Sequence, residues 1–383
     1  MIIKTFILFF LLSILLCCSK EKNYVESQLQ TLLDSTLKQY PKAVGIILSI
    51  EAPDEGISWS GATGYSNRES ETQIQADQPG NIASITKLFV SVAIFRLIEE
   101  GKLQLEQPIA EVIPERTGLL LVNNGYQPDS IQIGHLLSHK GGIPGIETSK
   151  WKEKESTDQG YRWTRDEQLR DAIIMNERGE IGKEWSYSDV NYLILSEIIE
   201  QVTGTSFYLA LRELLRLDDL GIRQTWFYTL EKDPEKVKTR IHQYKENRNW
   251  ASTYEDSPTW GLYGPSGIVS TTEDLANFSK ALFGHEIYRN KNTLELMFTD
   301  IPTSDGKQIE YIHQDTIQMN YYMGLEEIST SGIHAIGHHG YWGSWMAYFP
   351  EENVHIGLFV LNADVMDQFE MKMMRDVLVI LKN

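Results

Sequence analysis

The sequence predicts an α/β (α+β) fold: an antiparallel sheet built from the N- and C-terminal parts of the chain, flanked by helices, with a mostly helical subdomain inserted over roughly residues 86–237. Three observations predict it. Strand-like segments gather at both ends of the chain. The middle carries helical periodicity. Turns too short for a crossover helix separate neighbouring strands, so those strands pair antiparallel.

Each element has its own signal. Residues 24–39, YVESQLQTLLDSTLKQ, set Val25, Leu29, Leu32, Leu33 and Leu37 at helical spacing. AVGIILSI (43–50) is a buried strand, PDEG turns the chain, and ISWSGATGY (57–65) returns as the second strand of a hairpin. ITKLFVSVAIFRLIEEG is a long apolar helix that begins beside Ser84 and stops at Gly101. KLQLEQPIAEVIPE, with Pro108 and Pro114, reads as a connector, and a polar, Trp-containing segment runs to about residue 165. Further helices are expected near 166–178, in the second part of 184–204, and near 206–216. GPSGIVSTTEDLANFSKALFG (264–284) reads as a turn, a short extended piece and a helix capped by Ser270, Thr271 or Thr272. YYMGLEEIS, HAIGHHG, SWMAYFPEE and VHIGLFVLNA read as strands, and DQFEMKMMRDVLVILK as a closing helix.

With 383 residues, 42% of them hydrophobic and 23% charged, the chain has ample material for a large core. Its net charge of -18, without a basic cluster, argues against a nucleic-acid partner. The opening MIIKTFILFFLLSILLCCSKEKN sets Lys4 before an apolar run too short to span a bilayer, as in a secretory leader over residues 1–18. Cys17 and Cys18, the only cysteines, end that run; the pattern resembles a bacterial lipobox in which Cys18 carries the lipid anchor. An ordinary cleaved leader with incidental cysteines is the other reading. Either predicts export of a domain over 24–383 to the periplasm or cell envelope, without a disulfide or a thiol nucleophile.

Ser84 and Lys87 lie three residues apart at the start of the long apolar helix, so they share one helical face. A serine hydroxyl becomes a nucleophile when a neighbouring base takes its proton, and the helix N-terminus favours developing negative charge. A cap and a solvated lysine are the plainer reading of S-x-x-K alone.

The wider pattern resembles the serine β-lactamase / penicillin-binding-protein superfamily, closest to its class C β-lactamase and D-alanyl-D-alanine carboxypeptidase branch. GNIASITKLFVSVAIFRLIEEGKLQLEQPIAEVIPE, IQIGHLLSHKGGIPG, EWSYSDVNYLILSEIIEQVTG, GPSGIVSTTEDLANF and GHHGYWGSWMAYFP carry the resemblance, in the family's order, over nearly the whole chain after the leader. It implies that Tyr187 stands beside Ser84 and Lys87, its phenol lowered in pKa by Lys87, and shuttles the proton to the leaving group. It matches the family's Tyr-x-Asn to Tyr187-Ser188-Asp189, so Asp189 replaces an asparagine. An aspartate accepts hydrogen bonds but does not donate them, which points to changed substrate acceptance; Asp189 reads equally as a helix cap. The resemblance matches the family's Lys-Thr-Gly or His-x-Gly strand to His338-His339-Gly340. It implies that His338, partly charged, helps bind a substrate carboxylate, that His339 is structural or at the rim, and that Gly340 lets the ligand lie against the strand. The backbone N–H groups of Ser84 and Tyr341 would form the oxyanion hole.

His135 and His139 have no HExxH pattern or carboxylate partner to support a metal pair, and the resemblance implies that they are packing and loop residues. Trp260, Tyr263, Tyr341 and Trp342 read as cleft lining or as core. The expected function is therefore an exported serine hydrolase working through an acyl-enzyme on Ser84, of D-Ala-D-Ala carboxypeptidase or esterase type. The alternatives are a β-lactamase and a penicillin-binding sensor or scaffold without turnover. The expected substrate carries an ester, amide or lactam carbonyl; no metal or organic cofactor is expected, and the membrane is reached only through the anchor.

Overall fold

The computed structural model describes residues 22–158, 160–299, 310–312, 318–330 and 332–382. The leader over 1–18, with Cys18, lies outside the described residues. Among the described residues, no helix is long and apolar enough to cross a membrane.

One antiparallel sheet organises the molecule. Its strands are β1 (Gly45–Ala52), β2 (Ile57–Asn67), β3 (Thr72–Gln73), β4 (Glu310–Ile312), β5 (Gln318–Tyr321), β6 (Glu326–Thr330), β7 (Ile333–Gly340), β8 (Ser344–Phe349) and β9 (Val354–Val360). They lie in the order β3-β2-β1-β9-β8-β7-β6-β5-β4. The two ends of the chain meet at the β1–β9 seam, where Ile46 opposes Val360 and Glu51 opposes His355. A central strand is covered on both faces, which is why β1 reads as a continuous apolar run instead of alternating: Ile47 joins one core, while Ile46, Leu48 and Ile50 join the other.

Two helices cover the second face. α1 (22–39) brings Leu29 and Leu33, and the last helix, α5 (Glu370–Leu381), brings Met373, Met374, Val377 and Leu378. The first face packs against α2 (Ile85–Glu99), α3 (Asp189–Thr203) and α4 (Thr272–Phe283). Every residue of α2 from Ile85 to Leu97 is buried, the fate of a helix that is apolar on all sides. Thr271 caps α4, its hydroxyl oxygen accepting from Asp274 N at 3.1 Å.

Helices also form at Glu115–Asn123, at the end of the expected connector, and at Ile133–Leu137 and Ser149–Thr157, for which no helix was expected. The first starts directly after Pro114, a residue tolerated at helix starts though it breaks interiors. Ser149–Thr157 buries none of its residues, so it carries no apolar stripe for periodicity to reveal. Two small sheets complete the frame: Gly80–Asn81 and Trp226–Phe227 flank Ile268–Ser270, and Tyr244–Lys245 pairs with Ala251–Ser252.

Candidate active site

The strand pairing just before α2 fixes Ser84. Asn81 opposes Val269, Ile82 N donates to Ile268 O at 3.1 Å, and Ser344 Oγ donates to Ile82 O at 3.0 Å. Gly340 permits this approach, because a Cβ there would lie 2.2 Å from Ile82 O. Ala83 then takes a left-handed φ of +46°, unfavourable for a residue with a Cβ, and the helix begins. The Ser84 side chain makes no capping bond to its helix. It is committed elsewhere.

Lys87 is 0% exposed. Its Nζ donates to Ser84 Oγ at 3.0 Å and to Pro265 O at 3.0 Å, and lies 2.6 Å from Asp189 Oδ1. Two of its donors are taken by hydrogen bonds, and the Asp189 carboxylate stands at ion-pair distance. The Pro265 carbonyl comes from the GPSG turn, whose Pro265, Ser266 and Gly267 line a cavity shared with Ser84. Gly264 in that turn has a φ of +119°, and a Cβ there would be 2.5 Å from Tyr192 O, so only glycine brings the turn so close to α3. Asp189 opens α3 behind the N-cap Ser188, and its carboxylate pairs with Lys87. The N-cap position itself belongs to Ser188, not Asp189.

Tyr187 stands over this pair, with Lys87 Nζ 4.7 Å from its ring centroid and its hydroxyl hydrogen-bonded to Ser84. The ring is 37% exposed, while the hydroxyl end is enclosed. Burial, reinforced by Asp189, pushes the phenol well above its ordinary value. That corrects the expectation of a phenol lowered by Lys87: Tyr187 is held in its protonated form.

Strand alternation separates the two histidines of β7. His338 shares a face with Ile336 of the first core and is 1% exposed. His339 turns to the second core, where its ring stacks on Trp345 at 4.8 Å. Burial, helped by Lys87, lowers His338 despite Glu326, so the expected partial charge of His338 is suppressed. His339 is raised in spite of burial, because Glu326 Oε2 sits 2.8 Å from its Nδ1. Burial would lift the Glu326 carboxyl, but His338 and His339 outweigh it and hold it at about 2.

His139, read from the sequence as a loop residue, belongs to this neighbourhood. It is 1% exposed, its Nε2 lies 3.2 Å from Tyr321 Oη, and that oxygen lies 3.4 Å from His338 Nε2. On its other side, His139 Nδ1 accepts from Ser188 N at 3.1 Å. His135 is separate, with Nδ1 accepting from Gln132 N at 3.1 Å. Among the described residues, no cluster of three or more His, Cys, Asp or Glu could hold a metal ion.

Ser84 lies where two cavities meet, one of about 880 Å³ and one of about 410 Å³. Ser84, Tyr187 and Tyr341 line both. The larger includes His338, His339, Gly340 and Glu326; the smaller includes Asp189, Trp260, Tyr341 and Trp342. Tyr263 is not among its walls; it packs near Phe207.

A serine on a helix N-terminus, hydrogen-bonded to a buried lysine and a protonated tyrosine, defines a constellation suited to nucleophilic attack on a carbonyl. Residues 33–373 match the model of the Beta-lactamase family, and the chain belongs to that family. Penicillin-binding protein 4* of Bacillus subtilis (strain 168) is 24% identical over 311 residues, 76% of this chain and 63% of its own, so the match spans less than two thirds of that relative. ML-236A carboxylate methylbutanoyltransferase of Penicillium citrinum is 24% identical over 325 residues, covering 79% of this chain and 77% of its own. Among solved structures, D-amino acid amidase from Ochrobactrum anthropi SV3 complexed with L-phenylalanine amide superposes with a TM-score of 0.76 at 21% identity, over 94% of this chain and 99% of that one.

Proposed function

We propose that the protein is a serine hydrolase that works through an acyl-enzyme on Ser84. The contact between Ser84 Oγ and Lys87 Nζ at 3.0 Å carries this reading. Ser84 attacks the carbonyl as Lys87, its Nζ 3.0 Å from the serine oxygen, takes the hydroxyl proton. The N–H groups of Ser84 and Tyr341 receive the oxyanion. Tyr187, held protonated, donates to the leaving group and regains a proton from Lys87, which carries the one taken from Ser84; water or another acceptor then attacks the ester carbonyl, gives its own proton to Lys87 and releases the acyl group, and the proton returns to the Ser84 oxygen. A D-Ala-D-Ala carboxypeptidase-like peptidase or an esterase is the substrate reading, with a β-lactamase as the alternative; burial lowers His338, which makes it a weaker carboxylate partner on that strand than a lysine. The L-phenylalanine amide in the amidase complex supports an amide carbonyl among the substrates. The leader over 1–18, with Cys18 as lipid carrier, and the penicillin-binding relatives support a place at the cell envelope.

Intact-mass analysis after incubation with a fluorophosphonate and with a labelled penicillin tests the reading. One adduct per chain is expected, absent from Ser84→Ala. A panel of p-nitrophenyl esters, D-Ala-D-Ala peptides and nitrocefin then ranks the substrates. Lack of any Ser84-dependent adduct overturns the proposal, and a lasting penicillin adduct without turnover of any substrate would identify a sensor instead.

A further inference from the structure

Arg240 lines the smaller cavity together with Ser84. Its Nη1 donates to Asn81 Oδ1 at 2.9 Å, which ties it to the segment that positions the nucleophile three residues on. Its guanidinium carbon lies 3.9 Å from the ring centroid of Tyr228 and 4.8 Å from that of Tyr254. Among the described residues, no carboxylate oxygen lies within 4.0 Å of this guanidinium, whereas the other half-buried charges on that wall are matched. Asp189 faces Lys87, and Arg248 faces Glu155 at 2.5 Å and Asp256 at 4.0 Å. Glu147 is exposed at the rim.

A guanidinium held by two rings and an amide oxygen loses little freedom on binding, and its planar fork suits a carboxylate. The bond to Asn81 uses one of five donors. The larger cavity is the wrong place for an anion: its walls carry Glu246, Glu326, Asp364, Asp367 and Glu370 against Lys245 and His339. Burial lowers His338, so it adds little positive charge there. We infer that Arg240 is a specificity-determining residue that binds a carboxylate on the substrate while its scissile carbonyl sits at Ser84. The substrates are therefore anionic esters or amides, with the carboxylate on either the acyl or the leaving half. This inference rests on the serine hydrolase reading.

Two probe pairs test it and separate the two halves. The first is a pair of alkyl fluorophosphonates whose chain ends in a carboxylate or in its methyl ester, read as the rate of Ser84 labelling by intact mass. The second is 3-carboxyphenyl acetate against phenyl acetate, read as phenol release. In one pair the anionic member should react about tenfold faster or more, the scale of one charge-assisted contact. Arg240→Gln should bring that ratio to about one, Arg240→Lys should keep part of it, and Tyr228→Leu, which loosens the guanidinium, should fall between. Thermal melts of the variants confirm folding. Equal rates in both pairs, or a preference that survives Arg240→Gln, with Ser84 still labelled, overturn the assignment of Arg240 and leave the serine hydrolase standing. Absence of Ser84 labelling by either fluorophosphonate removes both.

Discussion

Lys87 and Glu326 are two buried charges with opposite surroundings. Lys87 meets a hydroxyl, a carbonyl and a carboxylate, and Glu326 meets two imidazoles. The second arrangement has a measurable pH signature. A carboxyl held at about 2, against an ordinary value of 4.5, stabilises the fold fully above about pH 4.5 and loses that contribution as pH falls toward 2. Chemical denaturation of Glu326→Gln at pH 7 should show a loss of up to about 3 kcal/mol, and the gap to the parent should close between pH 4.5 and 2. A gap that stays constant over that range would show that the histidines do not set the carboxyl. At this scale Ser84, Lys87 and Tyr187 were legible because side chains carry motifs. The Pro265 carbonyl was not, since a backbone acceptor has no residue signature. Nor was the place of His139, which depends on a left-handed φ of +59° and on Tyr321, 182 positions away.

Among the elements, β7 and the turn before α2 act as a pair. They touch where Gly340 passes Ile82, and a side chain at 340 would also come within 2.1 Å of Ser344 Oγ. Gly340→Ala should push the strand from the nucleophile segment. Acylation by the fluorophosphonate should slow at least about 100-fold, in line with the loss expected from a 1 Å misplacement. The melting temperature should fall by only a few degrees, about what a loss near 1 kcal/mol produces. Wild-type labelling by this variant would mean that the contact does not position Ser84. The strands and long helices could be read from periodicity because each buries a stripe or a face. Ser149–Thr157 could not, because it buries nothing, and Glu115–Asn123 was hidden behind two prolines.

For the whole molecule, the decisive fact is that β1 and β9 are adjacent although most of the chain lies between them. Sheet closure must wait for the C-terminal strands, a long-range pairing of the kind that folds slowly. The closing helix α5 then covers the second core with Met373, Met374, Val377, Leu378 and Leu381. Removing the chain from Glu370 onward should leave that face open. The truncated protein is expected to bind ANS and to lose its cooperative thermal transition, both read against the full chain. A sheet built from both ends was legible in the order of strand-like and helical segments. The sequence did not disclose that the cleft has two chambers, because their walls come from loops far apart in the chain.

That division has a consequence for the proposed reaction. An acyl-enzyme keeps one half of its substrate and exchanges the other. Among the described residues only Ser84, Tyr187 and Tyr341 line both cavities, so under the proposed mechanism the kept half and the exchanged half would meet different surfaces. Either surface can therefore drift under selection while the other, and the nucleophile between them, stays as it is. A family built this way can pass from hydrolysis to acyl transfer, or from one acyl group to another, by altering one chamber at a time.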